Sequence, residues 1–449
     1  MVGSGAVPAG TVLPTVRQLA LHLGVSRLTA HRAYQELQRI GIVTAKTRRG
    51  TIVCPIFEEE VGLDRLVSFL KTGPFPEFER ICERTNVRSM ASPVPDPRLF
   101  DSDEYLASMG VLRDRGTWGY YYPDSVSDPV LSAAFCQFAG PFGLDFSTEH
   151  TITMGGVQPW FPALLGALVP EGSTVLIQEP HTLNPTTAYT FRGFDPVGVT
   201  AGDDGLDVEH LTTQCKRFRP AALVAQPNFG FADGIRWTDQ NRRDVAEVLQ
   251  HYGVKLIERT ALSILAFDGE RPGLVSNLMP EDLGYAEFGF QACLAPGLPV
   301  SFANVRGADR QTLVQNVAKL GLTLPKPERL TCTEFIKRGA LGSNVQRTTR
   351  ELRTRRDALV RALESSLPDS CHCAVPQGGL SACVVLPRKL DPEDLFRRAL
   401  DKRIAVMPGR YLSSEGSGDD RVVLSYSMIR APALEEAGAV FGRLVRSLL

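Results

Sequence analysis

The chain has 449 residues, 43% hydrophobic and 22% charged, with a formal net charge of −1. At ~100–200 residues per domain this length predicts roughly two to four domains with ample core, and the composition excludes disordered and collagen-like chains. The near-zero total conceals a division: residues 1–53 carry Arg17, Arg27, Arg32, Arg39, Lys46, Arg48 and Arg49 against Glu36 alone, a charge of +6, which leaves −7 on the remainder. A small basic head on a large acidic body directs the head, not the body, toward a polyanion. No apolar run reaches the ~18 residues of a bilayer span, and MVGSGAVPAG at the start lacks the basic and apolar stretches of a secretion signal. Nine thinly scattered cysteines form no disulfide framework, so a cytoplasmic protein without membrane association is expected.

In chain order, the first predicted element is a helix carrying Val16, Leu19, Ala20 and Leu23 at helical spacing and stopped by Gly24. Ser26 caps a second helix through its hydroxyl. Thr29, Ala30, Ala33, Tyr34 and Leu37 follow, with Ala33 and Leu37 on one face, and this helix ends near Gly41. Gly24-Val25-Ser26 has the length of a helix-turn-helix connection, whose second helix presents its first residues to the major groove; Arg27, Thr29 and Arg32 stand there. Ile42-Val43-Thr44 and Thr51-Ile52-Val53 flank Ala45-Lys46-Thr47-Arg48-Arg49-Gly50 and predict a hairpin with a basic tip.

On Leu13-Pro14-Thr15-Val16-Arg17, Gly24-Val25-Ser26-Arg27-Leu28-Thr29 and Arg49-Gly50-Thr51, the head resembles the GntR superfamily of bacterial regulators. The resemblance implies a winged helix-turn-helix that binds double-stranded DNA. In it Arg17 and Arg27 clamp phosphates or read guanine, Ser26, Thr29 and Arg32 stand at the start of the recognition helix, and Lys46, Arg48, Arg49 and Gly50 bring the wing to the DNA backbone. Such heads ordinarily open with a further helix, and only about a dozen residues precede Leu13, so that helix is expected to be truncated or absent.

Residues 54–87 mix Glu58-Glu59-Glu60, the amphipathic run LDRLVSFLK and Gly73-Pro74-Phe75-Pro76, and read as a linker with a short helix. Beyond it the β-prone runs STVLI, AALVA and VKLIE alternate with helical stretches such as DQNRRDVAEVLQHYG, which predicts an α/β domain with a substantially parallel sheet. Pro95 to Phe100, Tyr122 to Leu131, Met154-Gly155-Gly156-Val157-Gln158, Leu294-Ala295-Pro296-Gly297-Leu298 and Gly378-Gly379-Leu380 follow one another in an order that resembles the fold-type I aminotransferase-like domain of MocR-type regulators. The implied architecture is a winged helix-turn-helix (1–53), a linker (54–87) and a pyridoxal-phosphate (PLP) fold type I domain (88–449). That domain has a mostly parallel sheet in a large subdomain (120–329) and a smaller α+β subdomain drawn from 88–119 and 330–449.

The same resemblance implies PLP held as a Schiff base by a lysine just before the Leu-Ala-Pro-Gly-Leu turn. Anchoring on Leu294 to Leu298 puts Ala292 at that position, anchoring on Tyr285 puts Gln291 there, and no lysine occurs between Lys255 and Lys319. Arg259 stands where the family carries the aspartate that keeps the pyridine nitrogen protonated, and a cation there disfavours that form. Glu258 is adjacent, but strand alternation points it to the other face. Phe231 replaces the asparagine of an Asn-Pro-Thr-Gly segment, Pro299 the arginine that helps hold the phosphate, and Val423 the arginine that holds a substrate carboxylate, although Arg421 shares that strand face. Gly155 and Gly156 suit an anion-binding turn at a helix N-terminus, yet glycines there also serve tight packing, which is the reading adopted.

Gly156, Val157, Trp160, Phe231, Arg259 and Gln291 remain as lining for an effector pocket; Trp160 and Phe231 either fill the vacated space or shape it for a different small molecule. Neither a cofactor nor a metal is expected, because Cys371-His372-Cys373 matches no zinc spacing and reads as a short strand. The sequence thus predicts a DNA-binding transcriptional regulator, homodimeric by resemblance, on a body without catalytic activity. The alternatives are a PLP-dependent aminotransferase and a regulator whose body only dimerises or docks a partner.

Overall fold

The computed structural model describes residues 11–39, 43–46, 50–53, 78–79, 82, 86–155, 160–181, 189–190, 193–269, 271, 273–387, 390–414 and 418–449. The chain divides into two compact units, Met1–Arg88 and Ser89–Leu449.

In the head, α1 (Val16–Leu23) begins with a capping box. The Thr15 hydroxyl accepts from Gln18 N at 3.3 Å while Gln18 Oε1 accepts from Thr15 N at 2.9 Å, so two donors that no helical carbonyl can reach are satisfied. Gly24 ends α1 in the left-handed region at φ +65°. Ser26 Oγ then accepts from Thr29 N at 3.0 Å and starts α2 (Arg27–Arg39). β1 (Val43–Lys46) and β2 (Gly50–Val53) pair antiparallel as the expected hairpin. The segment before α1 joins them, with Leu13 N donating to Thr51 O at 2.8 Å.

The buried face of α2 corrects the sequence expectation. Ala33 is exposed and Leu37 half-buried, whereas Ala30 and Tyr34, one turn apart, are buried with Ala20 and Val43. The Tyr34 hydroxyl donates to Pro14 O at 2.5 Å and fixes that face to the chain before α1. Leu23, one of the apolar residues at helical spacing in α1, is likewise exposed. Gly41, Ile42 and most of the linker, including LDRLVSFLK, lie outside the described residues.

In the body, β3 (Arg88–Ser89) is followed by β4 (Thr151–Gly155), β5 (Thr174–Glu179), β6 (Asp195–Gly202), β7 (Gly205–Leu206), β8 (Ala222–Ala225), β9 (Lys255–Arg259), β10 (Gly284–Gly289) and β11 (Val300–Asn304). Apart from β3 these form one sheet in the order β4-β11-β10-β9-β8-β5-β6-β7. From β6 to β10 the neighbours run parallel, and antiparallel pairs close both margins. Consecutive side chains of a strand point to opposite faces. Accordingly Ile177, Val224 and Ile257 enter one core with Leu164 and Leu313, whereas Leu176, Leu223 and Leu256 enter another with Leu211 and Leu249. Helices cover both faces, as a parallel sheet with continuous apolar strands requires.

A smaller antiparallel sheet follows from β12 (His372–Cys373), β13 (Ser381–Val385), β14 (Ile404–Ala405), β15 (Met407–Pro408) and β16 (Arg421–Ser425) in the order β12-β13-β16-β15, while β14 pairs with β3. The 27-residue helix Ala340–Ser366 packs on the C-terminal helix Ala431–Leu448. The architecture is α/β with a mostly parallel main sheet. Among the described residues no group of three metal-ligating side chains occurs, and no helix is long and apolar enough to cross a membrane.

Candidate functional site

The turn and capping geometry of the head leave Arg17, Arg27 and Arg32 exposed, and none has an ion-pair partner among the described residues. Ser26 and Thr29 are exposed too, but their hydroxyls lie 2.8 Å apart, so part of their hydrogen-bonding capacity is spent on the helix start. Gly50 opens β2 and is exposed. Lys46 ends β1 with its side chain outside the described residues, as are Arg48 and Arg49 altogether. What is on view is a helix N-terminus flanked by guanidinium groups, an arrangement that suits phosphate and base-edge contacts.

In the body, the parallel register sets Arg259 of β9 beside Glu287 of β10. Arg259 Nε donates to Glu287 Oε1 at 2.7 Å, and Glu287 is 1% exposed. Thr260 ties the same strand ends together, its N–H and hydroxyl donating to Glu287 O at 2.9 and 2.7 Å. Burial works against the Arg259 charge, but the Glu287 carboxylate outweighs it and the guanidinium is held protonated more firmly than usual. Burial drives the Glu287 carboxyl upward, more than Arg259 draws it down. Buried His181, just beyond β5, is lowered to about 3 by burial and by the Arg259 charge, and stays neutral. Glu258 faces the opposite core, where its Oε2 accepts from Ser276 N at 2.8 Å, as strand alternation requires.

The other expected lining residues are anchored on separate neighbours. Gln291 and Ala292 lie on the short helix Phe290–Cys293, and Gln291 Nε2 donates to Ser301 Oγ of β11 at 3.3 Å. The Phe231 carbonyl accepts from the Ser381 hydroxyl of β13, and Pro299 is half-buried before β11. Val423 is fully buried on β16 between Cys383 and Met407, while Arg421 Nη1 donates to Ala201 O at 3.1 Å. Trp160 starts the helix Trp160–Leu168, but its side chain, and Gly156 and Val157 entirely, lie outside the described residues. At Gly155 a Cβ would come 3.2 Å from Leu324 Cα, closer than ordinary contact, so tight backbone packing favours glycine there. Lys255, at the far end of β9 from Arg259, donates to Leu168 O and to Asp309.

Sequence reasoning missed Glu287 and His181. A lone carboxylate within the apolar run Tyr285 to Phe290 was the available signal for the first, since a charge there needs an ion partner on a neighbouring strand.

Fold and site together define a helix-turn-helix head joined to an aminotransferase-type α/β body. The model of the bacterial regulatory proteins of the gntR family matches residues 1–53. The chain is a GntR-type head fused to an aminotransferase fold. Across most of its length it is similar to the 2-aminoadipate transaminase of Thermus thermophilus, with 27% identity over 386 residues, 85% of this chain and 95% of that one. It is also similar to the uncharacterized HTH-type transcriptional regulator YdcR of Escherichia coli, with 23% identity over 423 residues covering 92% and 90%. Among solved structures, LysN, the alpha-aminoadipate aminotransferase of Thermus thermophilus complexed with N-(5'-phosphopyridoxyl)-L-leucine, superposes with a TM-score of 0.74 at 26% identity, covering 86% of this chain and 97% of that one.

Proposed function

We infer that the protein is a DNA-binding transcriptional regulator whose aminotransferase-like body works as an effector and dimerisation domain without PLP chemistry. In this reading Arg17, Arg27 and Arg32 contact the DNA with Lys46, Arg48, Arg49 and Gly50 of the wing, and two heads of a homodimer read paired half-sites. The observation that carries the loss of chemistry is the Arg259–Glu287 pair, 2.7 Å apart, at the position where the resemblance calls for a carboxylate on the ring nitrogen. A guanidinium already bound to a buried acid offers that nitrogen no proton-stabilising charge. No lysine between Lys255 and Lys319 is present to anchor an aldehyde, and Lys255 itself is engaged with Asp309. The residues present therefore do not fit PLP as a reactive group.

The test is addition of PLP to the purified protein, borohydride reduction and peptide mapping. No stoichiometric adduct is expected on the segment between Lys255 and Lys319, and Ala292→Lys is expected to give no transaminase turnover, because Arg259, Pro299 and Val423 still leave ring, phosphate and carboxylate unsupported. A pocket-mapped adduct on the parent chain, or robust turnover by Ala292→Lys, would show a working enzyme site and overturn this reading. The relatives that are aminotransferases make that second reading the one to exclude.

A further inference from the structure

A cavity in the body, of about 310 Å³, lies between the long helix Ala340–Ser366 and the segment around Phe267. That volume is at the lower end of small-molecule sites. Its helical wall presents Val345, Gln346, Thr349, Arg350 and Arg353. Opposite stand Phe142, Ile264, Phe267 and Arg271. Ile264, Phe267 and Val345 are buried and make an apolar floor, whereas Arg271, Arg350 and Arg353 are exposed and make a cationic rim.

The rim's charges are unevenly met. Arg353 lies 2.9 Å from Asp268, which Arg356 shares at 3.5 Å. Arg271 stacks 4.5 Å over the Phe142 ring and donates to Pro141 O at 3.0 Å. Arg350 has neither an ion pair nor a side-chain hydrogen bond among the described residues. Thr349 Oγ1, beside it, is buried with no hydrogen-bond partner among them. Among the described residues, a buried hydroxyl without a partner and a guanidinium without an acid, both at the edge of an apolar floor, are complementary to one ligand chemistry.

We propose that this cavity binds an aromatic carboxylate. The ring lies on Ile264 and Phe267 with Phe142 and Arg271 at its side, and the carboxylate accepts from Arg350 and from the Thr349 hydroxyl. A bare phosphate is disfavoured because the floor desolvates one side of it without offering donors. The site uses only residues of the body away from Arg259 and Glu287, so it stands or falls independently of the cofactor reading.

The probe is naphthalene-2-carboxylate titrated into the full-length protein by calorimetry. One saturable site per chain is expected. Arg350→Gln, an exposed position whose change leaves the melting temperature in place, weakens binding about tenfold or more, and the uncharged naphthalene-2-carboxamide binds the parent correspondingly weakly. Thr349→Val weakens it several-fold, and inorganic phosphate does not displace the probe. Absence of saturable binding, equal affinity in Arg350→Gln, equal affinity for the carboxamide, or displacement by phosphate would each overturn the assignment.

Discussion

Glu287 is 1% exposed, so the charge it carries must be met inside the protein, and Arg259 meets it at 2.7 Å. Removing one member of such a pair strands the other, which costs about 3–5 kcal/mol; this ties residue 259 to the stability of the sheet. A half-buried acid, Asp233, sets a pH dependence. Asp233 is raised from 3.8 to about 6, chiefly by burial and against the hydrogen bond from Ile235 N and the charge of Arg421. Between those two values the folded protein holds a proton that the unfolded chain has released, so this group's contribution is full below about 4 and is lost as pH rises through about 6. Asp233→Asn keeps an acceptor for Ile235 N and removes the titration. Urea unfolding at pH 4.5 and pH 7 should show the parent losing stability relative to Asp233→Asn as pH rises; a difference that does not change with pH would refute the assignment.

Elements of the head are built from local rules, and their weak points follow from the same rules. Gly24 sits at φ +65° with open space where a Cβ would go, so Gly24→Ala costs only backbone conformation, roughly 1 kcal/mol. Amides of α1 and α2 should then exchange with solvent about fivefold faster while those of β5 and β8 are unchanged, and an unaltered rate in α1 would show that Gly24 does not set the turn. Local rules are also what made this region legible: the Ser26 cap, the three-residue turn and the β-prone runs act within a few residues of one another. The buried face of α2 was misjudged because it depends on Tyr34 reaching Pro14, twenty residues back. Alternating strands and helices announced the body's sheet, since strands buried on both faces read as continuous apolar runs. The partner of Glu287 was illegible because it comes from another strand, and only the register of β9 against β10 brings the two together.

At the scale of the whole molecule, a +6 head and a −7 body divide the labour between a surface attracted to a polyanion and one repelled by it. In the proposed reading, phosphate contacts by the head supply affinity that falls with salt, whereas base contacts at the start of α2 supply sequence choice. The body, whose fold resembles aminotransferases, holds two cores, the buried Arg259–Glu287 pair and, apart from it, the arginine-rimmed cavity by Phe267. Arg27 is exposed at the first position of α2, so Arg27→Ala leaves the packing undisturbed while removing the DNA contact proposed for it. Genome-wide occupancy of the parent protein and of Arg27→Ala, at matched expression and salt, tests the regulator reading most directly. Discrete sites occupied by the parent and lost in the variant are predicted; no enrichment for the parent, or the same sites at the same strength in Arg27→Ala, would contradict it.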